Sequence, residues 1–118
     1  MTTHATERGT ANRQLMDECI RACLDRQQLC QECATECIDM GSKAMARCIK
    51  LCLDCSDTCI TCVNLMGRDS EFAARTCGVC GDVCDACAAE CEKGDGDIMR
   101  RCAEACRRAA KLCHQMAA

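Results

Sequence analysis

Eighteen of the 118 residues are cysteine, and within four blocks they recur at steps of three or four, with a step of seven where one position is skipped. The blocks are Cys19, Cys23, Cys30, Cys33 and Cys37; Cys48, Cys52, Cys55, Cys59 and Cys62; Cys77, Cys80, Cys84, Cys87 and Cys91; and Cys102, Cys106 and Cys113. Steps of three and four keep side chains on one face of an α-helix. Four blocks therefore predict four helices, each with a stripe of thiols where a helix ordinarily carries leucine. The skipped steps fall at Arg26 or Gln27 in the first block and at Ala109 in the last.

The rest of the composition agrees with helix. Proline is absent and Phe72 is the one aromatic residue. Without proline, long helices can run uninterrupted. Alanine, glutamate, lysine, arginine, methionine and glutamine favour the helical backbone. The length suits one small domain. The predicted helices are Asn12 to about Met40, Ser42 to about Met66, Asp69 or Ser70 to about Lys93, and Asp97 to about Met116. Gly41 and Gly67 stop the first two, Ser42 and Asp97 act as N-caps, and Asp69 or Ser70 caps the third. Residues 1–11 read as a disordered tail and 12–118 as the domain. Connections this short join antiparallel neighbours. The expected fold is all-α: an up-down-up-down four-helix bundle with a cysteine-lined core. Leu15, Ile20, Leu24, Leu29, Ile49, Leu53, Ile60, Val79 and Leu112 are among the apolar residues left to flank the seam or join subunits. Gly78 and Gly81 lie inside the third helix, each at a cost of about 1 kcal/mol relative to alanine. Close helix packing is the expected reason.

Composition and motif weigh against several function classes. The net charge of −3 is mild, and no basic patch is interleaved with aromatics, so nucleic acid is not an expected partner. The glycines form no phosphate-binding loop. No stretch reaches the roughly 18 apolar residues of a membrane span. The first ten residues show neither an apolar run nor a twin arginine, so the expected location is the cytoplasm. In a reducing compartment, dense cysteine points to metal rather than disulfides. Neighbours at i and i+4 on one helix also have nearly parallel Cβ directions, which suits an S–S bond poorly.

Thiolates suit Cu(I), Zn²⁺ and iron–sulfur clusters. A zinc ion on four thiolates, or a common four-iron cluster, leaves a doubly negative site. Several such sites in one bundle would bury uncompensated charge, and the stripes carry almost no cation beyond Arg26. One Cu(I) per thiolate leaves the core nearly neutral. A C-x-x-x-C pair on one helix can also hold such an ion between two sulfurs. Methionine extends the stripes at their ends: Met16, Met66 and Met116 towards one end of the bundle, Met40, Met45 and Met99 towards the other. Thioether is a soft ligand suited to Cu(I). His114, beside Cys113, is a candidate gate ligand. Asn64 is a weaker candidate, and His4 is assigned no role. No nucleophile–base pair or carboxylate dyad suggests an enzyme.

The motifs Cys48-x₃-Cys52-x₂-Cys55-x₃-Cys59-x₂-Cys62, Cys77-x₂-Cys80-x₃-Cys84-x₂-Cys87-x₃-Cys91 and Cys30-x₂-Cys33-x₃-Cys37 resemble those of the copper storage proteins, a bacterial family of cysteine-lined four-helix bundles. The resemblance spans about residues 12–116. It implies many Cu(I) ions inside each bundle, a homotetramer, and loading through a more polar open end. It also implies a ligand role for all eighteen cysteines and for His114 at that end. The absence of a twin-arginine signal matches the cytosolic branch. Copper would pass to and from a copper chaperone or a small thiol or chelator. The alternatives left open are an iron–sulfur electron carrier of ferredoxin type and a zinc or heavy-metal buffer.

Overall fold

The computed structural model describes residues 3–118, with side-chain surroundings from Asn12 onward. Four helices follow one another: α1 Thr3–Met40, α2 Ala46–Gly67, α3 Ala73–Cys91 and α4 Asp97–Ala117. A single 3₁₀ turn, Lys43–Met45, leads into α2. The backbone of α1 begins at Thr3, nine residues before the expected start at Asn12, so its helix continues through most of the stretch read as a tail. His4 lies among the residues whose side chains are not described.

The helices close into a ring in which α1 packs on α2 and α4, and α3 packs on α2 and α4. The sulfurs record the antiparallel register. Cys48 faces Cys91 at 4.0 Å, Cys52 faces Cys87 at 3.8 Å and Cys59 faces Cys80 at 3.7 Å. Numbers rise along α2 as they fall along α3, as an up-down connection requires. Across the α1–α4 wall, Cys19 meets Cys113 at 3.6 Å.

The core is made of small side chains. Beside the eighteen cysteines it holds Ala22, Ala34, Ala88, Ala103, Ala109 and Ala110. Thiols pack as small apolar groups, and alanine lets the backbones close around them. The two bulkiest fully buried side chains are Arg26 and Met66.

The helix ends depart from expectation in their chemistry more than in their position. Gly41 takes φ +66°, the left-handed turn that glycine allows after α1. Ser42 does act as a cap, its hydroxyl accepting from the Ala44 N–H, but it caps the 3₁₀ turn rather than α2 itself. Gly67 is the last residue of α2 rather than a stop beyond it. Ser70 accepts from the Phe72 N–H at 3.1 Å, and Asp69 adopts φ +52°, so both shape the turn while α3 starts at Ala73 without a side-chain cap. α3 ends at Cys91, short of Lys93. The N-cap of α4 is Gly96, with Asp97 one position inside. There its charge favours the helix N-terminus and it pairs with Arg100.

The glycine at 81 has a packing cause. A Cβ there would stand 2.7–2.9 Å from three ring atoms of His114 on α4. A Cβ on Gly78 would meet Ala117 at an ordinary 3.5 Å. Alanine at 81 gains about 1 kcal/mol of helix propensity but displaces the ring. The expected result is that Gly81→Ala stabilises a His114→Ala background, whereas in the natural chain the gain is cancelled or reversed. A coupling of about 0.5–3 kcal/mol in urea denaturation is anticipated. The same effect in both backgrounds would contradict the contact.

Candidate metal centre

Every cysteine stripe turns inward, and no thiol is more than 2% exposed. All eighteen are free. Five groups have their sulfurs within 4.8 Å of one another. At one end are Cys33, Cys37 and Cys48. Next come Cys33, Cys52, Cys91 and Cys102, then Cys30, Cys52, Cys87 and Cys102. Further along stand Cys23, Cys59 and Cys80, and finally Cys19, Cys77 and Cys113. Each four-sulfur group takes one residue from each helix, so only the closed bundle assembles it.

Two features decide what these groups suit. The first is spacing. Contacts of 3.6–4.0 Å between sulfurs match the edge of a tetrahedron around a metal with ~2.3 Å bonds, which is about 3.8 Å. Distance alone therefore accommodates zinc as well as copper. The second is sharing. Cys52 and Cys102 belong to both four-sulfur groups, and Cys33 belongs to two groups. A shared sulfur bridges ions, so these three groups form a chain rather than separate closed sites, and the Cys23 and Cys19 groups stand beyond it without a shared sulfur. Divalent ions along such a chain would need more thiolate charge than monovalent ones.

Charge in the core is otherwise scarce. Burial first, then the neighbouring charge on Cys48, pushes the Cys37 thiol up to about 11. Cys55 and Cys62 are also raised, first by competition for hydrogen bonds with Cys106 and Cys77 respectively, with burial adding to it. Cys23 moves the other way, to about 5, because the sulfurs of Cys113, Cys19 and Cys59 stabilise its thiolate.

Among the described residues the one buried cation is Arg26. It is completely enclosed, and its Nη1 donates to Cys30 Sγ at 2.6 Å. Its Nε and Nη2 have no partner. Burial opposes the guanidinium charge, but the sulfurs of Cys106, Cys30, Cys55 and Cys84 more than offset it, so its pKa lies above the ordinary arginine value. By sequence, position 26 was a gap in the thiol stripe. In the structure it is a working position of that stripe with a different group on it. The register carried the signal: three residues after Cys23 and four before Cys30, any side chain there must face the core.

The remaining candidates divide. Met66 and Met99 are buried, and Met16, Met45 and Met116 pack partly against the core. Met16 and Met116 line one cavity with Gly67 and Arg68, beyond the Cys19, Cys77 and Cys113 group. Met40 is 61% exposed and does not join the other end of the seam. The His114 ring is not brought to the sulfurs. Its Nε2 lies 3.0 Å from Asp85 Oδ2 and 3.9 Å from Asp82 Oδ1, on the outer face of α3. Arg107 joins the same surface network through Asp85 and Glu92. Asn64 is exposed.

Comparison with known families settles the relationship of this sulfur-lined bundle. The family model described as copper storage protein matches residues 12–118. The chain belongs to the copper storage protein family. It is similar to the uncharacterized cysteine-rich protein YhjQ of Bacillus subtilis (strain 168), with 39% identity over 106 residues, covering 89% of this chain and 98% of that one. Among solved structures it is similar to the Cu(I)-bound copper storage protein BsCsp3, with 38% identity, a TM-score of 0.84, and 88% and 99% of the two chains covered. It is also similar to a cytosolic copper storage protein from Streptomyces lividans in a copper-loading structure with five coppers. There the identity is 29%, the TM-score 0.83, and 92% and 96% of the chains are covered.

In this member of the family the thiols that burial and their neighbours push up, Cys37 among them, pack neutral in the metal-free core. The sign of its pH response follows. A thiol whose pKa rises on folding contributes stability that is complete below the unfolded value and lost as pH climbs through the folded one. For Cys37 that window runs from 9.0 to about 11. The metal-free protein is expected to melt at progressively lower temperature across this window in calorimetry. A melting temperature unchanged between those pH values would contradict burial of Cys37 as a neutral thiol.

Proposed function

We propose that this chain stores Cu(I) as cargo, many ions to each bundle, held by thiolates in the space between the four helices. The observation that carries the reading is the chain of shared sulfur groups, fully buried and free of disulfides. Two solved relatives support it, one Cu(I)-bound and one loaded with copper. Binding is ligand exchange. A thiol loses its proton to solvent, the sulfur bonds Cu(I), and the donor's ligand departs; no electron moves. Because a monovalent ion matches one thiolate charge, ions can be added along the seam without accumulating buried charge. Thiolate softness favours Cu(I) over harder ions.

Loading is best placed at the end where Met16 and Met116 line the cavity next to the Cys19, Cys77 and Cys113 group. Two thioethers at the mouth would receive Cu(I) from a chaperone or small thiol and hand it to the first three sulfurs. His114 could join that path only by turning from Asp85. The reading places the protein in the cytosol, as its Streptomyces relative is described; no helix among the described residues is long and apolar enough to cross a membrane. Assembly as a homotetramer is supported by apolar side chains left on the outside, among them Leu24, Leu53, Ile60 and Val79. The role is retention and release rather than catalysis.

Anaerobic titration of the reduced protein with Cu(I) against a strong chromogenic chelator tests the proposal. Capacity near the thiol count is expected, together with loss of titratable thiols in step with copper and little displacement by excess Zn²⁺. Binding should weaken as pH falls, because protons compete for each sulfur. Saturation at one or two ions per chain, or labile sulfide and a brown chromophore in the purified protein, would refute it.

A further inference from the structure

The geometry points to Arg26 as a built-in counter-ion that takes the place of one Cu(I) ion in the middle of the sulfur channel, so that the loaded core holds one thiolate more than it holds copper. This rests on the storage reading above and adds to it a fixed limit set by one side chain.

Three observations meet at this residue. Arg26 occupies a cysteine step of α1, between Cys23 and Cys30, and its side chain is wholly enclosed. On α2 and α3, Cys55 and Cys84 stand between the Cys52–Cys87 and Cys59–Cys80 contacts, level with it, and Cys106 of α4 faces the same charge. Cys55, Cys84 and Cys106, together with Cys62, are the thiols that belong to none of the compact sulfur groups among the described residues, whereas the α1 cysteines on either side, Cys23 and Cys30, both do. The chain of groups is thus interrupted at the level of the guanidinium, with one bank of sulfurs on each side. Finally, the guanidinium is underused. Nη1 reaches Cys30, while Nε and Nη2 are buried with nothing to donate to.

An unpartnered buried donor is unfavourable beside neutral thiols and favourable beside thiolates, which accept charge-assisted hydrogen bonds. Loading supplies those acceptors. Each Cu(I) bound breaks one S–H bond and forms S–Cu bonds, with the proton released to solvent. Around Arg26 a further thiol loses its proton, and its charge is met by the guanidinium instead of a metal ion. A copper ion at the same level would face a fixed positive charge in a medium of low dielectric, where repulsion is strong. The guanidinium therefore excludes an ion and stabilises a thiolate at once.

The test counts copper and thiols on the same saturated samples of the natural chain, Arg26→Lys and Arg26→Met, each first checked for native helical circular dichroism. Arg26→Gln stands in if the methionine variant does not fold. The expected result is equal copper content in the natural chain and Arg26→Lys, and one additional ion per chain in the neutral variant. A neutral variant that holds the same number of ions as the natural chain, or fewer, overturns the inference; so does Arg26→Lys gaining the extra ion. The storage function and the role of Arg26 fail differently. Saturation of every variant at one or two ions would overturn the storage reading itself. High and identical capacity in all of them would overturn only the role of Arg26.

Discussion

A thiolate removed from water must have a positive charge beside it, and every other feature of this bundle follows from that requirement. Isolated buried charge is too costly for a small domain to tolerate. Eighteen inward thiols can remain neutral by keeping their protons, or can ionise together with an equal supply of cations. The fold permits both states. With protons on, the sulfurs pack as small apolar groups between alanines. With Cu(I) bound, each negative charge is met where it arises. Among the described residues a single side chain, Arg26, carries permanent positive charge into the core, and it does so at a level where the chain of sulfur groups is broken.

Sharing of sulfurs is what separates a store from a set of sites. Cys33, Cys52 and Cys102 each serve two groups. Bridging positions let ions be added next to ions already present, so the store can fill gradually within one framework. The framework needs no rearrangement, because each helix contributes its sulfurs from a continuous stripe. Rigid helices hold ligand positions more precisely than loops do. Membership of the copper storage protein family, through a match over residues 12–118, agrees with this physical picture.

Much of this was legible in the sequence because the ligands are also the periodicity. Steps of three and four among the cysteines gave the helices, their inward face and the metal-binding chemistry in one pattern. Short breaks gave the antiparallel order. What stayed hidden depended on side-chain direction and competition at helix ends. Asp97 has the right residue type for an N-cap, yet the cap falls one position earlier, at Gly96, and Asp97 is the first residue of the helix. His114 follows a ligand cysteine, but a helical step of one residue turns the side chain by about 100°, which aims it at Asp85 instead of the seam. Met40 continues a stripe by number but falls beside the left-handed turn at Gly41 and points to solvent. Arg26 looked like a missing cysteine because charge argues against burial. Four surrounding sulfurs reverse that argument.

Storage of this kind requires the cargo to lie between the helices, held by sulfurs of more than one helix and not by surface groups. Anomalous scattering at the copper edge from crystals of the loaded protein tests it most directly. A row of copper peaks is expected inside the bundle, within bonding distance of cysteine sulfurs from two or more helices. Copper confined to the outer face, at His114 and the carboxylates around it, would contradict it.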